Sequence, residues 1–324
     1  MKIVALGGGH GLYATLLAMR RLSDDVTAVV TVADDGGSSG RLRAELDVIP
    51  PGDLRMAMAA LLSADGDQRS HQRAAVLQHR FGGHGALAGH PIGNLLLAGM
   101  SEMHGDVVSA LDTLANALGV RGRVLPMSVS PLQIEADVSG LEADPRISHQ
   151  ISGQVAVATT PGKVRRVRLV PPDPPACDDA IAAIDAADLV VLGPGSWFSS
   201  VIPHVLVPAQ LAALSATRAR KVLIVNLAPE PGETAGFSVE RHLHVLHAHA
   251  DRLPIDDVVV DSGSVPVGRE REHVERAAAM FGAALHEGEL AVPGTHTHDP
   301  GKVAELIDRL CNSESGSTKR KEDA

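Results

Sequence analysis

Apolar residues along this chain follow two different rhythms. Runs built on consecutive apolar residues stand at 2–6, 26–32, 188–192, 221–227 and 256–261. A strand buried on both faces needs such a run, so these five predict interior strands of a parallel sheet. Between them the apolar positions recur every three to four residues. That spacing predicts helices over 12–21, 53–63, 70–80, from about Gly93, over 106–118 and 177–187, along the segment carrying His242 to His249, and over 271–282 and 301–311. From Arg123 to Val170 the rhythm shortens to two, over 123–129, 132–138, 151–158 and 163–170, which predicts antiparallel, half-exposed strands. The expectation is an α/β fold: a mostly parallel sheet flanked by helices, with an antiparallel β-rich excursion around 123–170. It forms one domain over 1–312. The polar, aromatic-free segment 313–324 is expected to be a disordered tail.

The loops after the predicted strands carry chemistry rather than core. Gly7-Gly8-Gly9-His10-Gly11-Leu12 leaves the first strand and opens a helix, a geometry that offers backbone N–H groups to an anion. It is neither a full Gly-x-Gly-x-x-Gly, because position 12 is Leu, nor a Walker A loop, and a tight turn without ligand also explains it. Residues 33–43, Ala-Asp-Asp-Gly-Gly-Ser-Ser-Gly-Arg-Leu-Arg, follow the second strand. Their carboxylates suit a cation and their guanidinium groups a phosphate, and only Leu42 is large and apolar. Gly193-Pro194-Gly195-Ser196 repeats the strand-then-glycine design. All three loops leave the C-terminal ends of parallel strands, the edge where open sheets bind ligands. Asp53 reads either as an N-cap after a Pro-Gly turn or as a ligand-facing acid, and Asn94 stands in the first turn of an apolar helix, where it either starts the helix or faces a ligand. His242, His244, His247 and His249 lack the i,i+4 spacing of a helical metal site and read as a solvated face. Trp197 reads as core, and the basic residues Lys163, Arg165, Arg166 and Arg168 as a solvated strand face.

Composition narrows the ligand. A net charge of −10, with one Trp, one Tyr and four Phe in 324 residues, argues against nucleic acid as a principal partner. Cys177 and Cys311 form no disulfide framework and no zinc pattern. The first apolar run is too short for a signal segment, and none approaches the roughly 20 residues of a membrane span. A cytoplasmic protein without membrane insertion is expected.

Six motifs then stand in order: 7–12, 33–43, Pro-Pro-Gly-Asp-Leu-Arg at 50–55, Leu-Ala-Gly-His-Pro-Ile-Gly-Asn-Leu-Leu-Leu-Ala at 87–98, Leu-Gly-Pro-Gly-Ser at 192–196 and Pro-Gly-Glu-Thr-Ala-Gly at 231–236. Together they closely resemble the YvcK family of bacterial gluconeogenesis factors, called CuvA in actinobacteria, within the superfamily of the CofD phospholactate transferase. The resemblance covers about residues 1–311. It implies a Rossmann-like fold, a cytoplasmic homodimer, binding of UDP-sugars, and a role in cell shape and peptidoglycan synthesis on gluconeogenic carbon. On that reading, backbone N–H groups of Gly8, Gly9, His10, Gly11 and Leu12, with those of the 193–196 loop (Gly193, Gly195, Ser196), hold a diphosphate. Asp34 and Asp35 hold Mg²⁺ or the ribose. Gly36, Gly37 and Ser38 complete the second loop, Arg41 and Arg43 neutralise charge, and Asn94 orients the sugar or base. The alternative is a CofD-like transfer from a guanylylated donor to a deazaflavin, with magnesium. Two positions depart from the family pattern: His10 stands where Thr is usual, and Thr297 stands where an Arg precedes the His298-Asp299 pair.

Overall fold

The computed structural model describes residues 1–144, 146–265 and 268–313. Its frame is a seven-stranded, wholly parallel sheet. The strands are β1 (Ile3–Gly7), β2 (Val26–Val30), β3 (Arg123–Pro126), β7 (Leu189–Leu192), β8 (Arg220–Ile224), β9 (Asp257–Asp261) and β10 (Ala284–Gly288), in the spatial order β10-β9-β8-β7-β1-β2-β3. A smaller antiparallel sheet, β5-β4-β6, is built from β4 (Gln133–Ser139), β5 (Ser148–Ser152) and β6 (Lys163–Val170).

The apolar runs became the middle of the large sheet for the reason their pattern suggests. β1 and β7 are buried at every residue, and the helices that cover both faces leave no polar side to select. Ahead of β3 come α1 (Gly9–Met19), α2 (Gly37–Leu46), α3 (Gly52–Ala64), α4 (Gln68–Gln78), α5 (Ile92–His104) and α6 (Val107–Leu118). Then follow α7 (Gln154–Thr159), α8 (Asp178–Asp185), α9 (Pro203–Leu206), α10 (Pro208–Ala216), α11 (Val239–His249), α12 (Arg269–Ala279) and α13 (Pro300–Ser313). One contiguous set of buried side chains joins both sheets to these helices. No single helix among the described residues is long and apolar enough to cross a membrane.

Several elements differ from the sequence pattern. Arg123–Pro126 is an edge strand of the parallel sheet, paired with β2, and not part of the antiparallel group. Alternation reports which faces are buried and is blind to strand direction. Of residues 151–158 only the first two are strand, the end of β5: Gly153, at φ +104°, turns the chain and α7 begins. Half of the second glycine loop is helix, because α2 starts at Gly37. His242 is buried, and its carbonyl accepts from the indole N–H of fully buried Trp197 at 3.0 Å, so this histidine faces core rather than solvent. The tail expected at 313–324 lies outside the described residues from position 314 onward.

Strand order sets the place of the site. From β1 the chain builds outward to β2 and β3, then returns to the other side of β1 with β7, β8, β9 and β10. The order therefore reverses between β1 and β7, and the loops leaving these neighbours diverge to open a crevice at the carboxyl edge.

Candidate functional site

The crevice at the β1/β7 reversal is a polar cavity of about 270 Å³. Its first wall is the start of α1. Gly8 is the N-cap and supplies no side chain to cap the first turn, where the Gly9 N–H instead meets the Asp53 carboxylate. Glycine is required here by contact. A Cβ on Gly8 would stand 2.5 Å from a carboxylate oxygen of Asp53, and one on Gly11 would stand 2.6 Å from the Cα of Gly195. The second wall is the 193–196 loop. Asn226 pins it by accepting from the Gly195 N–H at 3.0 Å and donating to the Gly195 carbonyl at 2.9 Å. Ser196 then leads into a π-helical turn, Trp197–Val201, which turns Ser199 and Ser200 onto the cavity.

Carboxylates form the floor. Asp34 and Asp53 both line the cavity. Asp53 is ringed by protein atoms, and this burial, reinforced by the charge of Asp34, pushes its carboxyl up to about 7. The Gly9 backbone N–H and Arg55 pull the other way, but less. Two carboxylates thus share one cavity with the start of α1. Among the described residues no cluster of three or more His, Cys, Asp or Glu is arranged to hold a metal alone. The donor set fits Mg²⁺, which takes one or two carboxylates and completes its shell with phosphate oxygens and water.

Asp35, adjacent in sequence, has another task. Its two oxygens accept from the N–H groups of Gln154 and Val155, each at 3.0 Å, and so cap α7. The carboxylate that shares the cavity with Asp34 is therefore that of Asp53, whereas the Asp35 carboxylate, expected beside it, is committed to α7. Asp53 is not the N-cap either: Pro51 holds that place, and Asp53 lies in the first turn of α3.

Other expected contacts also fall away from the cavity. Leu12 is core, and its N–H closes the first helical turn on Gly8 at 3.2 Å. The Gly193 N–H bonds to Leu6 and the Gly195 N–H is taken by Asn226, which leaves Ser196 as the member of that loop on the cavity with no such tie. Gly36 closes a turn on Asp34 Oδ1 at 2.9 Å, and exposed Gly37 opens α2. Ser38 and Asn94 are buried in one network. Arg55 Nε donates to Asn94 Oδ1 at 2.8 Å, Asn94 Nδ2 donates to Ser38 Oγ at 3.0 Å, and Ser38 meets His90 Nδ1 at 2.7 Å. Arg41 donates to the Ala88 carbonyl and Arg43 to that of Leu132, at 2.8 and 2.6 Å. These residues lock α2, α3 and α5 behind the floor and do not line the cavity.

Sequence reasoning missed several groups. Gln154 enters the cavity from α7. Glu230 borders it and also a second, mostly apolar cavity of about 260 Å³, which shares His10, Gly11 and Gly195 and reaches Thr297 and His298. His298 is buried, its Nε2 makes no hydrogen bond within the protein, and burial pushes its pKa down to about 4, so it is a neutral imidazole. Glu233, behind Glu230, is 3% exposed with neither oxygen bonded. Burial and the Glu230 charge push its carboxyl up to about 8. The one advance signal was the Pro-Gly-Glu-Thr-Ala-Gly motif, whose glutamate has no place in a solvated turn that needs only Gly and Pro.

Residues 3–289 match the family described as 2-phospho-L-lactate transferase CofD. A protein of Mycobacterium tuberculosis (strain ATCC 25618 / H37Rv), provisionally named a gluconeogenesis factor, is 66% identical over 316 residues, covering 98% of this chain and 92% of that protein. The gluconeogenesis factor of Listeria innocua is 34% identical over 315 residues, 94% of each chain. Among solved structures, a UPF0052 family member from Bacillus halodurans superposes with a TM-score of 0.82 at 33% identity, covering 94% of this chain and 98% of its own.

Proposed function

This chain belongs to the CofD-like family, in the branch of the gluconeogenesis factors, and on that premise we propose that it is a regulator that binds a nucleotide sugar of the UDP-sugar class together with Mg²⁺. The observation that carries this reading is the pairing, in one cavity, of the α1 N-terminus with the Asp34–Asp53 floor. The N–H groups suit the diphosphate, and the two carboxylates suit a cation bridging to it. The adjoining apolar cavity suits a base. On this reading ligand occupancy reports the supply of sugar nucleotides, and the protein tunes growth on gluconeogenic carbon and wall synthesis accordingly.

The test is calorimetric titration with UDP-N-acetylglucosamine, UDP-glucose, GDP and NAD, with and without Mg²⁺. Heat from a UDP-sugar that depends on Mg²⁺ is expected, and no heat from any UDP-sugar removes the reading. The family match also supports a second reading, a CofD-like transferase acting on a guanylylated phospholactate donor and a deazaflavin. Against it, no Phe, Tyr or Trp among the described residues lines either cavity, so a large flat acceptor finds no aromatic to stack on. Mass spectrometry after incubation with both substrates decides, and a coupled product reverses the ranking.

A further inference from the structure

We infer that Glu230 reads the ribose of the bound nucleotide, accepting its 2′- and 3′-hydroxyls, and that the site therefore selects ribonucleotides over deoxyribonucleotides. The inference rests on the nucleotide reading above and adds a residue and a selectivity to it.

Position is the first argument. In a nucleoside diphosphate the ribose lies between base and phosphates. Glu230 is the acidic side chain shared by the apolar cavity and the polar one. A base in the first and a diphosphate in the second bring the ribose to their junction.

Rigidity is the second. The Glu230 N–H donates to Thr234 Oγ1 at 2.8 Å, and the Thr234 N–H returns to the Glu230 carbonyl at 3.2 Å. Thr234 is fully buried, so the turn that carries Glu230 is fixed before any ligand arrives. A preset carboxylate loses little freedom on binding a diol.

The third argument comes from neighbouring side chains that lack partners. His298 Nε2 on the apolar cavity is more than nine-tenths buried and makes no hydrogen bond within the protein, and Ser199 Oγ on the polar one is as deeply buried with only the Glu233 carboxyl beside it. Such groups cost free energy unless something meets them, so they point to a ligand spanning the same junction. Glu233 backs the arrangement. Its carboxyl is held neutral at pH 7, so it does not add a second negative charge behind Glu230. The chemistry matches the acidic residue that holds the ribose in dinucleotide folds, where it stands after the second strand of the first βαβ unit. Here it comes from the loop after β8, across the strand-order reversal.

The test compares UDP with 2′-deoxy-UDP, each with Mg²⁺, by calorimetry on the full chain and on Glu230→Gln. Loss of one charge-assisted hydroxyl bond is worth roughly 10-fold in affinity. The parent is expected to prefer UDP by about that factor. Glu230→Gln should weaken both nucleotides, UDP the more because it loses two hydroxyl bonds where 2′-deoxy-UDP loses only the one to its 3′-hydroxyl, bringing the ratio near one. Equal binding of the two nucleotides by the parent overturns the inference while the nucleotide reading stands. So does a ratio that survives in Glu230→Gln. Binding of neither overturns the nucleotide reading and the inference with it. The comparison on the parent needs no substitution, so it decides even if the variant folds poorly.

Discussion

Two carboxyl pairs border the same cavity and are built in opposite ways. Asp34 and Asp53 both face the cavity, beside a helix start. Of Glu230 and Glu233, only the first faces it, and the second is buried behind with no partner. Burial and a like charge raise one member of each pair, Asp53 to about 7 and Glu233 to about 8. The difference lies in what relieves the strain. A cation can enter between the aspartates and neutralise both. No cation reaches Glu233, which keeps its proton. The same chemical pair thus offers two open carboxylates on one side and one on the other, and access alone separates the two arrangements.

The comparison breaks first on stability against pH. Glu233 binds a proton more tightly folded than unfolded, so folding is favoured while it is protonated. That advantage is complete below pH 4.5 and is lost as pH rises towards 8. Glu233→Gln cannot titrate. Its stability relative to the parent should rise with pH across that window, by at most roughly 1.4 kcal/mol per pH unit, and then level off. Urea melts at pH 5, 6, 7 and 8 measure it, and parallel curves would mean the carboxyl is not held neutral.

Next in size is the metal. Asp34→Asn should remove the Mg²⁺-dependent part of UDP-sugar affinity, about 100-fold or roughly 3 kcal/mol, and leave thermal stability near the parent's. A full Mg²⁺ response in that variant would move the cation elsewhere. Gly11→Ala tests the wall between the two pairs. The new Cβ meets the 194–195 backbone, so about 2 kcal/mol of stability should be lost, with ligand affinity falling too. The smallest effect is expected at Asp35→Ala. It uncaps α7 and should cost about 1 kcal/mol in a thermal melt, while the Mg²⁺ dependence of binding persists. Loss of that dependence would restore Asp35 to the metal.

What the sequence could reveal follows from which interactions are local. Val26 to Val32 and Leu189 to Leu192 announce buried strands because burial on both faces is written in consecutive residues. The glycine loops announce the carboxyl edge because a turn after a strand is a local event. α7 was invisible because its cap, Asp35, lies 119 residues away. Asp53 read as a cap because sequence shows the helix it begins, not the Gly8–Gly9 turn it reaches across the sheet. Arg41, Arg43 and Asn94 carry the donors a ligand wants, but backbone carbonyls and a buried serine claimed them first. Glu230 and Glu233 differ only in depth, a property of the folded surface that composition does not encode.

The reversal of strand order between β1 and β7 also fixes when the protein can act during its own synthesis. The cavities are closed by Gly8 at one end of the chain and His298 near the other. A nascent chain has its Gly8–Gly11 turn early, gains the wall of the polar cavity with Ser196 to Glu230, and lacks part of the apolar cavity's wall until His298 has been made. A copy that stops short of His298 would therefore keep the polar cavity's lining and lose part of the apolar one.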